Sequence, residues 1–155
     1  MKKDIIYVVI QFILFALYFI DYSFIDYVFE IPEWVAVLMI IVVSIGGLII
    51  LMGIVNLNEN ITPFPSPRRD STLISTGIYK YIRHPIYSGI VIVMFAYAIY
   101  SGSVGRLFIT AVLFMVFYFK SELEEKLLID RFPKYSFYKK VTGRFFPFRK
   151  SNNDS

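Results

Sequence analysis

The stretch "YKYIRHPIYSG" sets an arginine, the chain's single histidine, a proline and a tyrosine directly before an apolar run. Proline suits the first turn of a helix, because the N–H it lacks would have no partner there. Pro85 therefore predicts a helix start, with His84 at its entrance and Tyr87 a turn inside. Free N–H groups and the positive end of the helix dipole gather at such a start, a natural seat for a carboxylate or phosphate. A plainer reading has Arg83 anchoring to lipid headgroups and His84 merely capping the helix. Residue types alone leave both open.

A second cluster of chemistry lies in "KSELEEKLLIDRFPKY". Read as a helix, Glu122 and Lys126 form a favourable i,i+4 pair on a wet face. Glu125 is different, because Leu128, Ile129 and Phe132 follow it at helical spacing. A carboxylate at the edge of an apolar face needs a cation or hydrogen-bond donor if it is buried, supplied by protein or ligand; otherwise it is a boundary glutamate reaching solvent. Around both clusters stand Tyr79, Tyr81, Tyr87, Tyr135 and Tyr138. Their ring faces attract sulfonium and ammonium groups, and tyrosines also belt membrane interfaces.

The elements that would position these residues are membrane helices. The chain has 155 residues, 57% of them hydrophobic and 19% aromatic, against roughly 45–50% apolar in an average soluble domain. Four apolar segments stand out, at about 5–24, 34–57, 86–100 and 107–119. A span needs about 20 residues, with a range near 17–25, so the first two qualify and the last two are short. "SGSVGR" joins that second pair into a tight helical hairpin. The N-terminal segment has a basic start, as a signal peptide has, but no small-residue cleavage site follows, and a retained span is expected. "SIGG" and Gly53 in the second segment predict close helix packing.

Charge sets the orientation. The first loop, "DYSFIDYVFEIPE", has no Lys or Arg, whereas the second holds Arg68, Arg69, Lys80 and Arg83, and the chain beyond Lys120 is strongly basic. Both termini and the second loop are therefore expected on the cytoplasmic side. The basic tail, rich in aromatics, fits anionic lipid better than nucleic acid. The prolines of "TPFPSP" favour an extended trace. Thr76 and Gly77 look like a turn, and the loop should fold back over the cytoplasmic ends of the spans.

Several chemistries are excluded. Without cysteine there is no disulfide, thiolate nucleophile or Cys-based metal site, and one histidine cannot build a His-rich metal centre, so no metal is expected. No ionisable residue falls mid-span, which lowers a proton-relay or ion-pathway reading. No GxGxxG or P-loop is present, which argues against a Rossmann nucleotide site. "NIT" at Asn60 matches a glycosylation pattern but falls on the expected cytoplasmic side.

Taken together, "LISTGIYKYIRHPIYSG", a hydrophobic hairpin and then "EEKLLIDRFPKYSFYKKVTGRFFP" resemble the isoprenylcysteine carboxyl methyltransferase and phospholipid methyltransferase superfamily. Its signature is an Arg-His-Pro-x-Tyr block, a hydrophobic stretch and a Glu-Glu pair, and the resemblance covers roughly 62–148. It implies a membrane-embedded transferase that uses S-adenosylmethionine without a Rossmann domain. By motif, the cofactor contacts would be His84, Pro85, Ile86, Tyr87, Tyr79, the backbone of Ser71, Thr72, Leu73 and Ile74, and Glu125, which would meet the cofactor's ammonium. Methyl transfer is a direct displacement, so alignment rather than a protein nucleophile is required. Glu124, as proton acceptor for an amine, and Arg83 are the candidate catalytic residues. Prenylcysteine-methylating members carry an arginine one turn before the second glutamate; here that position is Ser121. Lys120 beside it is the candidate substrate contact, though not equivalent to a planar guanidinium fork.

The expected fold is all-α: a polytopic membrane bundle of about four transmembrane helices with a cytoplasmic C-terminal helix. One domain, 1–155, carries cytoplasmic cofactor-binding segments at 62–85 and 120–148. The expected function is S-adenosylmethionine-dependent methylation of a membrane amphiphile: an isoprenylcysteine-like carboxylate, a phospholipid amine or another lipid from the bilayer. The alternatives are an NADPH-dependent membrane reductase of related architecture and a non-catalytic membrane scaffold.

Overall fold

A computed structural model of the chain describes residues 2–20, 27–57, 62–64 and 72–148. Asn60, Arg68, Arg69, Ser71, the end of the first expected span and the last seven residues lie outside these ranges. Five α-helices occur among the described residues: α1 (Lys2–Phe19), α2 (Glu33–Leu57), α3 (Pro85–Tyr100), α4 (Val104–Arg131) and α5 (Tyr135–Val141). Helices α2 and α4 are long and apolar enough to cross a membrane, and Ile5–Phe19 and α3 are shorter apolar helices. Helix α2 leaves Trp34, Val37, Ile41, Leu48, Leu51 and Val55 exposed. A continuous apolar surface of that kind suits lipid and not water.

The fourth apolar segment does not stop where expected. Its apolar part continues without a break into the Glu-Glu segment, forming a 28-residue helix. Nothing between Arg106 and Phe132 interrupts it, since neither Gly nor Pro occurs there. It ends at Phe132, which adopts an extended conformation because Pro133 disfavours the helical region for the residue before it. The hairpin is tighter than "SGSVGR" implied: only Ser101–Ser103 separate α3 from α4. Gly102 turns the corner at φ +62, and Ser103 caps α4 by accepting from the Arg106 N–H at 3.1 Å.

Helix α2 packs along α3, α3 on α4, and α1 on α4. The α2–α3 contact is close because small residues line it. A Cβ on Gly89 would lie 2.6 Å from Ile50 Cγ1 and 2.7 Å from the Gly46 carbonyl oxygen; one on Gly53 would lie 2.8 Å from Ile86 Cγ1. The "SIGG" motif works through Gly46, because Gly47 faces open space. Leu14 and Tyr18 of α1, Met94 of α3, and Leu113 and Phe117 of α4 form the buried core.

The segment before α3 does fold back over the helix ends. Gly77, at φ +58, opens a 3-10 turn, Gly77–Lys80. Asn56 of α2 accepts the Ile78 N–H at 2.9 Å, and the Tyr79 hydroxyl donates to the Gly53 carbonyl at 3.3 Å. The chain after α5 then returns beside residues 81–84. Arg83 and His84 donate their backbone N–H groups to the carbonyls of Gly143 and Arg144 at 2.9 and 3.1 Å. Ser88 of α3 donates its hydroxyl to Phe145 O at 2.8 Å.

Candidate functional site

Pro85 is the first residue of α3, and His84 occupies the N-cap position. The His84 side chain makes no capping bond. It is 6% exposed and points to the Glu-Glu pair on α4. Its Nε2 lies 3.3 Å from Glu125 Oε1, and its Nδ1 lies 3.7 Å from Glu124 Oε2. One imidazole thus connects both carboxylates. The His84 ring stacks on Tyr87 (5.4 Å, 5°), which stacks on Phe117 (4.5 Å, 12°). The Tyr87 hydroxyl donates to Glu124 Oε2 at 3.1 Å.

The two glutamates have different jobs. Glu125 is fully buried and is met by protein cations on every side. Arg83 Nε lies 2.8 Å from it, Lys139 Nζ 2.9 Å and Arg144 Nη2 3.3 Å. Burial alone would raise the Glu125 carboxyl pKa. The hydrogen bonds from His84, Lys139 and Arg83 outweigh that and hold it well below the usual carboxylate range. Arg83 is itself buried at 7% exposure. Its guanidinium also donates to the carbonyls of Lys139, at 3.0 Å, and Thr142. It therefore knits α3, α4 and the C-terminal segment together and cannot reach lipid headgroups.

Glu124 faces a cavity of about 280 Å³. Gln11, Ile54, Leu57, Thr62, Pro63, Tyr79, Arg83, His84, Pro85, Ile86, Tyr87, Ile90 and Lys120 complete its walls. Burial pushes the Glu124 carboxyl pKa up, against the pull of His84, Tyr87 and Lys120. Lys120 follows the apolar run of α4 and is 1% exposed. Its ammonium donates to Gln11 Oε1 at 2.6 Å and lies 5.1 Å from the Tyr87 ring centroid. Burial lowers its pKa to about 8, with Glu124 acting in the other direction. Ser121 is fully buried and donates to its own helix at Tyr118 O, 2.8 Å away. Of these two neighbours, Lys120 and not Ser121 looks into the cavity.

The structure thus gathers Tyr79, Arg83, His84, Pro85, Ile86, Tyr87, Lys120 and Glu124 around one space. Glu125 stands behind that wall as its electrostatic anchor. Thr72 and Ile74 do not line the cavity, and Leu73 lines a separate one with Lys80 and Lys134. Ser71 lies outside the described residues. Gln11, Lys139 and Arg144 belong to the site without having been singled out from sequence. The buried Glu125 called for cations, and the basic tail held them. For Gln11, a single amide in an apolar helix, the signal was its isolation.

The family model of phospholipid methyltransferases matches residues 34–135. The chain belongs to this family. The match spans α2, α3 and α4, with the RHPxY block and the Glu-Glu pair inside it. A curated relative, methanethiol S-methyltransferase 1 of Bradyrhizobium diazoefficiens, is 35% identical over 75 residues, 48% of this chain. The aligned part is only 26% of that protein's length. The family lies within the isoprenylcysteine and phospholipid methyltransferase superfamily that the motifs resembled.

The cavity suits S-adenosylmethionine by its donor set. Glu124 is an acceptor for cationic groups. The start of α3, at Pro85 and Ile86, presents the positive end of its dipole to a carboxylate. Tyr79 brings an aromatic wall, and Ile54, Leu57, Ile86 and Ile90 bring apolar walls, for a sulfonium and a base.

Proposed function

We propose that this chain is an S-adenosylmethionine-dependent methyltransferase embedded in the membrane, acting on an amphiphilic acceptor from the bilayer. The observation that carries this reading is the cavity where Glu124, His84, Tyr87 and Lys120 converge between apolar helices. Bound there, S-adenosylmethionine would supply an electrophilic methyl group on a cationic sulfur. Glu124, held by Tyr87, would hold the cationic side, and the positive end of α3 at Pro85 and Ile86 would hold the anionic side.

The chain's contribution is alignment and exclusion of water, which displacement chemistry needs most. Stacking on His84 and Phe117 fixes the Tyr87 ring. The bond from Tyr87 to Glu124 fixes the carboxylate. Glu125, pinned by Arg83, Lys139 and Arg144, fixes His84. Helices α1 and α2 both line the cavity, α1 packing on α4 and α2 on α3. An acyl or prenyl chain would lie along their apolar surfaces while its reactive end meets the methyl group. The charge pattern supports a site and termini at the cytoplasmic face, beside anionic lipid.

The test uses protein purified in detergent, methyl-labelled S-adenosylmethionine and membrane lipid extract. Label should enter a lipid fraction and be lost in His84→Ala. A folded sample that binds NADPH but not S-adenosylhomocysteine would replace this reading with a reductase. A sample that binds neither would leave a scaffold.

A further inference from the structure

Lys120 is a charge without a counter-charge in contact. Its side chain is buried, and its ammonium has three donors to place. The Gln11 amide oxygen takes one at 2.6 Å. The ring faces of Tyr87 and Phe117, at 5.1 and 6.0 Å, give it partial stabilisation. Among the described residues no carboxylate forms a salt bridge with it. Glu124, one helical turn on, attracts it across more than a salt-bridge distance while bonding to Tyr87 and lying beside His84. Burying an ammonium in this way is costly unless an anion meets it. The cavity that Lys120 lines is where that anion can come from.

We propose that Lys120, oriented by Gln11, is the counter-cation for the acceptor's nucleophilic atom, and that the acceptor is an anion, a thiolate or a carboxylate, not an amine. This rests on the methyltransferase reading of the cavity. Glu124 and Lys120 divide the space into a side for cations and a side for an anion. A thiol gives its proton to water as it binds beside Lys120; a carboxylic acid arrives ionised. The acceptor's lone pair forms the new bond to the methyl carbon, and the pair of the breaking carbon–sulfur bond stays on the departing sulfur. One positive and one negative charge disappear together, so a buried site is left with no new charge. An amine would leave an ammonium product beside the buried Lys120 ammonium, where like charges repel strongly. Gln11 is a positioning residue, since it reaches the acceptor only through Lys120.

The test is binding in the absence of cofactor. Wild-type protein in detergent at pH 7, where Lys120 is mostly protonated, is titrated by calorimetry with decanoate, decanethiol and decylamine, which share a chain length and differ in head group. Decanoate or decanethiol, or both, should bind the wild type and Lys120→Arg. Affinity should fall at least about tenfold in Lys120→Met, and part of the way in Gln11→Leu. Decylamine, which can meet only Glu124, should bind Lys120→Met at least as tightly as the wild type. Which anion binds tells a carboxylate acceptor from a thiolate. Circular dichroism checks each fold, and Gln11→Leu carries the comparison if Lys120→Met does not fold. Decylamine losing affinity in Lys120→Met as the anions do, anions binding undiminished to the folded variants, or no anion binding at all would overturn the proposal. S-adenosylhomocysteine binding to the same wild-type preparation separates the two failures: if it binds, only the anionic-acceptor proposal falls, and if it does not, the methyltransferase reading falls as well.

Discussion

Replacing Glu125 by glutamine keeps the side chain's shape and removes its charge. The carboxylate is fully buried and meets Arg83 at 2.8 Å, Lys139 at 2.9 Å, and His84 and Arg144 at 3.3 Å. Lys139 is 38% exposed and can turn to solvent, and Arg144 is 20% exposed, but Arg83 is 7% exposed and cannot. Its guanidinium would keep the carbonyls of Lys139 and Thr142 while losing its only buried counter-charge among the described residues. Removing one partner of a buried pair costs about 3–5 kcal/mol, and that is the loss expected for Glu125→Gln. The assay is chemical unfolding in detergent micelles, followed by circular dichroism. Glu122→Gln is the control, because its pair with Lys126 at 2.9 Å is exposed at both ends; its unfolding curve should overlay the wild type. The pH dependence follows from the same carboxylate. Its folded pKa is depressed, so its stabilisation is present above the ordinary glutamate pKa near 4.5. The stabilisation is lost as pH falls from there toward the folded value. Wild type should weaken over that acidic window, and Glu125→Gln should weaken less. A Glu125→Gln loss below about 1 kcal/mol, the range of a surface pair, would refute the anchor role.

Three further outcomes follow from the packing and the cavity. Gly89→Ala should destabilise the protein by about 1–3 kcal/mol, because its new methyl meets the Gly46 carbonyl at 2.7 Å. Gly47→Ala, facing open space, should be neutral or slightly stabilising; unfolding in detergent ranks the pair. Gly77→Ala should release the 3-10 turn from α2, since its Cβ would fall 1.9 Å from Asn56 Oδ1 in a left-handed conformation. Faster amide exchange at Ile78 would report that. Tyr87→Phe keeps the ring stack and loses the bond to Glu124. It should weaken S-adenosylhomocysteine binding by roughly tenfold to a hundredfold, the worth of one hydrogen bond to a charged group, and Tyr87→Ala should weaken it further, as titration calorimetry would show.

Much of the site was legible because its chemistry is local in sequence. Pro85 marked the start of α3, and so set His84 and Tyr87 a turn apart on the cavity side. Gly53 and the glycines of "SIGG" announced a close helix contact, though not which of Gly46 and Gly47 would make it; that depends on the rotation of α2 against α3. The unbroken α4 was hidden by hydropathy, which falls at Lys120 while helical propensity does not. The division of labour between Glu124 and Glu125 was hidden as well. Adjacent helical positions point about 100° apart, and only packing decides which faces the cavity. Glu125 lies against α5 and the C-terminal segment, whose return beside residues 81–84 has no signature in composition. The long-range partnership of Gln11 with Lys120 is likewise a product of how α1 packs on α4.

The central claim is that the space bounded by His84, Tyr87 and Glu124 holds the methyl donor. Calorimetric titration of the detergent-purified protein with S-adenosylhomocysteine tests it most directly. Saturable one-site binding is expected in the wild type, weakened at least tenfold, about 1.4 kcal/mol, in Glu124→Gln with the helical fold intact. Wild-type protein that is folded and shows no binding, or Glu124→Gln that binds as tightly as wild type, would contradict it.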